Sequence, residues 1–374
     1  VNIIKKKNVF NATILNDRLT GLGVYSKNIL ERLENNFDVI LYTDNYNEDL
    51  QENNKNIILK VKANNKIKNI ILRNRSFKNW IKDNKGSNII HYSPTQHGVS
   101  IRGIKQIITI HDLMPLYFPK GRIHQYFYYK VILKRIINNS DLIITVSKNT
   151  KKDILKEYNV SEDKIKVIYN GFDETKEKID KEYSKKYIKE KFDIENYILM
   201  VGIHYRYKNL HSVIEAYDRN KEILKVPLVI VGGTEGGYGK ELINLVNEKN
   251  LNDKVKFLGF VSNEDKKLLY QAAKLFVYPS LYEGFGLPVL EAMTNETVVA
   301  CSNSSSLPEV VGDAAYMFDP NKLDDIENAL LTMINISNEE YIEYMKKAKI
   351  QLKKFSWDKC ANEVLEAING VSNE

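Results

Sequence analysis

Short runs of β-branched and aromatic residues alternate along this chain with longer stretches whose apolar positions recur every three or four residues. In the first half, FDVILYT, NIIHYS, KQIITIHD and DLIITVS read as strands that end in polar residues or turn formers. Between them, GVYSKNILERLENN and QYFYYKVILKRIINN carry helical periodicity. The second half repeats the plan with NYILMVG, VPLVIVGG, KVKFLGFV, KLFVYPS and ETVVACS. Runs that stay apolar without alternating suit strands buried on both faces of a parallel sheet. Strand and helix alternating throughout predict α/β layers. In such sheets ligands gather at the carboxyl ends of strands, which marks His111, Asp112 and Ser147 as positions for chemistry.

The two halves are joined by KVIYNGFDETKEKIDKEYSKKYIKEKFDIEN, where an Asn170-Gly171 turn opens a highly charged connector. The expected organisation is an N-terminal domain over 1–172 and a C-terminal domain over 173–354. A closing amphipathic helix within 355–374 can pack back on the N-terminal domain. At 374 residues the chain is long enough for two domains that each bury a core. There is no internal repeat below domain size.

Composition changes this picture little. A chain that is 43% hydrophobic and 28% charged is that of an ordinary globular protein, and its wealth of Asn, Lys, Ile and Tyr reads as coding bias. Two cysteines, Cys301 and Cys360, give no disulfide framework and suit a reducing compartment. No apolar run approaches the roughly 20 residues that span a bilayer, and the start VNIIKKKNVFNATIL lacks the apolar core of a signal peptide. A cytoplasmic protein is expected. Charge is more informative. Residues 1–170 hold about 29 Lys and Arg against about 15 Asp and Glu, roughly +14, whereas the whole chain is +7. A basic front half suits either an anionic partner, such as a membrane surface or phosphorylated lipid, or a solvated lysine-rich surface. Zinc-ligand spacing, a basic zipper and RNA-binding aromatic signatures are all missing, so no nucleic-acid partner is expected. The segments at 117–136 and 66–82 are aromatic and basic, and each fits an interfacial helix as well as a helix packed on the sheet.

The densest constellation is YEGFGLPVLEAM, residues 282–293. Gly284 and Gly286 strip side chains from a loop, and Pro288 suits the first turn of a helix, where a missing N–H costs nothing. Main-chain N–H groups from Phe285 through Leu287 to Val289 would then face an anion, aided by the positive helix end. Glu283 and Glu291 flank that anion site. Two acids beside a phosphate site make sense if they hold other parts of the same ligand: Glu291 a ribose and Glu283 a sugar, with a diphosphate between. A nucleotide sugar has that layout.

EGFGLPVLE resembles the E-x7-E signature of the large retaining glycosyltransferase family 4, and NSSSLPEVVGDAAYMFDPNKLDDIENAL resembles the loop, strand and helix beyond that signature in the same family. TGLGVYSKNIL, IHDLMPLYFP, SDLIITVSKNTKKDILKEY, KIKVIYNGFD and KLFVYPSLYEGFG match further segments in family order, so that the likeness runs from about residue 9 to 368. The resemblance implies a GT-B fold, two Rossmann-like domains facing across a cleft that closes on the donor. It also implies roles. Gly21 and Gly23 would form a glycine loop near the donor diphosphate, and His111 would stand near the transferred sugar. Lys208 would pair with the departing phosphates. Gly232, Phe260 and Val261 would lie beside the nucleobase, where contacts are largely main-chain. Relatives carry an arginine just after the glycine of VGIHYRYKN or directly before its Lys-Asn pair. Here Ile203 and Tyr207 occupy those places and Arg206 is displaced by one, so the clamp is left open between Arg206 with Lys208 and Lys208 alone.

The absence of any D-x-D fits a metal-independent GT-B enzyme and disfavours the GT-A alternative. No cofactor is expected beyond the donor itself. Three readings remain at this point: hexose transfer from a nucleotide sugar to a glycan or lipid-linked glycan hydroxyl, a nucleotide-sugar epimerase of the same fold, and a non-catalytic nucleotide-sugar- or glycan-binding subunit. TGLGVY, HDLMP and SSLPEV together resemble bacterial mannosyl- and rhamnosyltransferases of surface polysaccharide assembly. That implies GDP-mannose first and dTDP- or UDP-sugars next.

Overall fold

A computed structural model of the chain describes residues 6–15, 21–43, 56–59, 75, 77–84, 88–101, 103–174, 180–202 and 205–373. The chain divides into two compact units, one formed by Val1–Gly171 with Ser356–Glu374, the other by Phe172–Phe355.

The first unit holds seven parallel strands: β1 (Lys6–Asn11), β2 (Val39–Thr43), β3 (Asn56–Leu59), β4 (Asn88–Ser93), β5 (Lys105–Ile110), β6 (Leu142–Thr145) and β7 (Ile165–Val167). Their order is β3-β2-β1-β4-β5-β6-β7. Successive residues of a strand point to opposite faces, and here both faces are covered. Phe10, Ile107 and Ile144 join a cluster containing Tyr25, Ile29, Trp357 and Val364. Their neighbours Val9, Ile108 and Ile143 enter separate clusters on the other side. The first of these clusters depends on the last helix, Trp357–Asn373, laid beside the first, Gly21–Leu33. Gly171 is required where the chain leaves this unit, because a Cβ there would come within 2.3 Å of the Trp357 backbone nitrogen.

The second unit holds β8 (Ile198–Val201), β9 (Leu228–Val231), β10 (Val255–Gly259), β11 (Leu275–Tyr278), β12 (Val299–Ser302) and β13 (Tyr316–Phe318). All are parallel, in the order β10-β9-β8-β11-β12-β13. Ile198, Met200, Leu228, Ile230, Leu275 and Val277 share one core cluster with the helices Leu210–Leu224 and Leu323–Met333. Helix starts are set by short polar side chains: Ser262 accepts from the Asp265 N–H, and Ser337 with Glu340 forms a reciprocal capping box.

The order of this sheet reverses between β8 and β11. From β8 the chain turns one way to β9, and from β11 the other way to β12, so the loops after these paired strands diverge. A crevice at the carboxyl ends of such strands is where open α/β sheets hold ligands. Lys208 follows β8 and Glu283 follows β11.

Candidate active site

The two loops at the switch point are tied together by the Leu281 N–H, which donates to the Tyr207 carbonyl at 2.8 Å. Across that tie, the Lys208 ammonium reaches Glu283 Oε1 at 2.7 Å, with side chains only 14% and 10% exposed. The hydroxyl of Tyr278, the last residue of β11, accepts from Lys208 at 2.8 Å and donates to Glu283 Oε1 at 2.8 Å. Burial works against the charge on Lys208, but Glu283, with Tyr278 and Tyr207, outweighs it and holds the ammonium's pKa well above the usual lysine value. Burial and the same carboxylate push the Tyr278 phenol far up, so it stays protonated at any working pH.

The backbone of Glu283 is clamped from the loop after β12. Ser305 Oγ accepts the Glu283 N–H at 3.0 Å and donates to the Glu283 carbonyl. Ser306 Oγ donates to the carbonyls of Glu283 at 3.0 Å and Phe285 at 2.7 Å. Gly284 and Phe285 are buried, and the chain then turns at Gly286, whose φ of +117° strains any other residue. The helix Leu287–Thr294 starts there with Pro288 in its first turn. The N–H of Val289, expected to face the anion, turns back to the Gly286 carbonyl at 3.2 Å. The N–H groups that precede Pro288 are not used in that turn.

Glu291 lies further along this helix and is held at both oxygens. Lys266 pairs with Oε1 at 3.0 Å and the Tyr270 hydroxyl donates to Oε2 at 3.1 Å. These partners sit one turn apart on the helix Asn263–Ala272. Arg206 is turned elsewhere: its guanidinium pairs with Glu241 on the helix Gly237–Glu248. Ile203, named with it, lies outside the described residues. Gly232 has φ +142° and donates its N–H to the Gly259 carbonyl at 2.8 Å, which links the ends of β9 and β10. Next to them Phe260 is 74% exposed, Val261 is half-buried, and a Cβ on Gly233 would meet the Phe260 ring at 2.5 Å.

Three expected residues belong to the first unit. Gly21 and Gly23, expected in a loop, are the first and third residues of the helix Gly21–Leu33. The first turn of a helix has no N–H partners of its own, so glycine there still presents main-chain donors. His111 follows β5 and is buried. Its Nε2–H is directed at the Pro94 carbonyl at 2.9 Å, while the Tyr25 ring packs edge-on at 4.7 Å. Burial lowers its pKa from 6.5 to about 4, partly countered by that hydrogen bond, so the imidazole is neutral at pH 7. Nothing in the sequence singles out Tyr278, Tyr270 and Lys266, because a tyrosine in a β-branched run and a lysine on a helix carry no signal until the fold brings them to the glutamates.

Residues 151–352 match the family described as Glycosyl transferases group 1, and residues 19–176 match Glycosyltransferase Family 4. The chain belongs to the group 1 glycosyltransferases. O-antigen chain mannosyltransferase B of Escherichia coli is 32% identical over 277 residues, 70% of this chain and 70% of that protein. O-antigen chain mannosyltransferase RfbU of Salmonella typhimurium is 38% identical over 218 residues, 58% of this chain and 57% of that one. Among solved structures, sucrose-phosphate synthase from Thermosynechococcus elongatus superposes with a TM-score of 0.78 at 18% identity, covering 98% of this chain and 100% of that one. WaaG, a glycosyltransferase involved in lipopolysaccharide biosynthesis, superposes with a TM-score of 0.74 at 16% identity, covering 97% and 100%. The two parallel α/β units of this glycosyltransferase are those of the GT-B fold.

Proposed function

We propose that this glycosyltransferase moves a hexose, with GDP-mannose as first candidate donor, to a hydroxyl of a glycan or lipid-linked glycan, with retention and without a metal ion. The observation that carries the reading is the buried Lys208–Glu283 pair beside the helix start at Gly286 and Leu287, over the switch point of the second sheet. Mannose comes from the names of the O-antigen relatives. As the C1–O bond to the diphosphate breaks, negative charge grows on the leaving group. Lys208 and the helix N–H groups stabilise it there more than in the ground state. Glu283 holds hydroxyls of the sugar and Glu291 those of the ribose. The acceptor oxygen forms its bond to C1 on the face the phosphate leaves, and its proton passes to a donor phosphate oxygen. In the first unit, the neutral His111 imidazole and the N–H groups of the Gly21–Gly23 helix start are candidate hydrogen-bonding groups for a sugar and a phosphate.

A thermal-shift panel of nucleoside diphosphates and their sugars tests the donor. A ligand at 100 times its dissociation constant should stabilise the protein by about 2.7 kcal/mol. Stabilisation by guanine nucleotides alone supports GDP-mannose, a different base reassigns the donor, and no response overturns the reading. Donor hydrolysis without acceptor excludes the non-catalytic alternative. Activity unchanged by EDTA supports metal independence, and the anomeric coupling in the product NMR spectrum reports retention.

For the acceptor side, a lipid-linked glycan at an anionic bilayer is favoured by a stripe on the first unit. Ile123, Phe127 and Val131 recur at four-residue spacing and are 56%, 60% and 47% exposed. From 113 to 140 the chain contains no acid but has Lys120, Lys130, Lys134 and Arg135. The segment 66–82 lies largely outside the described residues. An apolar stripe among cations suits an acidic lipid surface. Flotation with phosphatidylglycerol vesicles, lost in Phe127→Glu while nucleotide binding is kept, is the expected result. Equal recovery of both proteins with the vesicles overturns it. Among the described residues, no helix is long and apolar enough to cross a membrane.

A further inference from the structure

We propose that Tyr278 is a positioning residue whose hydroxyl keeps Glu283 in place for the donor sugar while Lys208 turns its charge to the departing diphosphate. The inference rests on the donor reading above and assigns a role to a residue that reading leaves out.

The ring of contacts has one consistent arrangement of protons. An ammonium can only donate and a carboxylate only accept. The Tyr278 oxygen therefore takes a hydrogen from Lys208, and its own hydrogen goes to Glu283 Oε1. Oε1 thus accepts twice, from Lys208 and from Tyr278. No hydrogen bond from the described residues reaches Oε2, which leaves that oxygen for a sugar hydroxyl.

The two donors to Oε1 differ in what the reaction asks of them. A diphosphate entering beside the helix start competes with Glu283 for the same ammonium, most strongly as its charge grows during bond breaking. A carboxylate held by Lys208 alone would lose its support at the moment it must hold the sugar. Tyr278 does not share that conflict. It is neutral, ends a buried strand, is 2% exposed, and stacks on Phe276 with ring centroids 5.8 Å apart. Ser305 and Ser306 fix the main chain of Glu283 from the other side. With both ends held, the carboxylate can keep its position when Lys208 changes partner.

Tyr278→Phe removes the hydroxyl and keeps the ring. We expect the Kd of the nucleoside diphosphate that stabilises the wild type to stay within about twofold, because Lys208 is left in place. Turnover of the matching nucleotide sugar, counted per molecule that binds that diphosphate, should fall about tenfold or more, the scale of one hydrogen bond to a charged group. Glu283→Gln should lower turnover as well, and combining it with Tyr278→Phe should add less than the product of the two losses. Counting per binding-competent molecule removes any fraction that fails to fold. Wild-type turnover in Tyr278→Phe, independent losses in the double variant, or a matching fall in diphosphate affinity would each overturn the role of Tyr278 alone. A wild type that binds no nucleoside diphosphate or nucleotide sugar overturns the donor reading and this inference with it.

Discussion

Lys208 and Glu283 are mutually dependent. A buried charge that loses its partner costs on the order of 3 kcal/mol, whereas an apolar pair of similar volume is often neutral. Lys208→Met should therefore lower stability by about 3 kcal/mol, and adding Glu283→Leu should restore most of it, as urea midpoints would show. Both proteins should be inactive toward a nucleotide sugar. Recovered stability without recovered turnover separates the energetic role of the pair from its chemical one. His111 gives a pH signature of its own. Its pKa is 6.5 in the ordinary state and about 4 when folded. Between those values the unfolded chain takes up a proton that the folded chain refuses. The contribution is complete above pH 6.5 and drains away as pH falls toward 4. His111→Gln should flatten the decline in unfolding free energy between pH 7 and 4.5, measured by urea titration at each pH. Because the folded imidazole titrates at about 4, the wild-type activity profile should show no limb from His111 near pH 6.5, and His111→Gln should add none there.

At the scale of elements, the loop into the helix Leu287–Thr294 depends on one backbone conformation. Gly286→Ala places a side chain at φ +117°, with its Cβ 2.6 Å from Leu307 Cδ2. A cost of about 1–3 kcal/mol in stability is expected. Leucine can swing aside, so the backbone term dominates. Because the same turn starts the helix proposed to meet the diphosphate, thermal melts with and without nucleoside diphosphate should show a smaller ligand-induced shift than in the wild type.

The sequence announced the strands that were long and continuously apolar, such as KQIITI of β5 and ILMV of β8. It concealed β1, where KKNVFN is diluted by lysine and asparagine, the four-residue β3 and the three-residue β7, while β13 was legible only through the family likeness of its segment. These pair because neighbours in the sheet position them, which a local pattern cannot express. The glycine loop and both glutamates were legible for a similar reason: glycine, proline and acid at fixed spacing are local. Tyr278 lies five residues from Glu283 in the chain but is brought to Lys208 only by the pairing of β8 with β11. The turning of Arg206 to Glu241, and of the Val289 N–H to Gly286, are choices of rotamer and turn length that composition does not fix.

At the scale of the molecule, the last helix belongs to the first unit. Trp357, Cys360, Ala361, Val364 and Ile368 are buried against Phe10, Tyr25 and Ile29. Deleting residues 356–374 should expose that face and abolish the cooperative melting of the first unit. The core of the second unit, drawn from other residues, should keep its transition. Two-transition calorimetry, with a fluorescent dye for exposed apolar surface, would check this.

The same connectivity fixes an order of birth. Synthesis runs from the first strands outward, yet the sheet they form waits for a helix encoded after the whole of Phe172–Phe355. At about 5–20 residues per second that interval is roughly 10–40 s. During it one apolar face of the first sheet, with Phe10 and Tyr92, lacks the cover of the last helix. The half of the protein made first is finished last, and until then its nascent form lacks the cover of that helix.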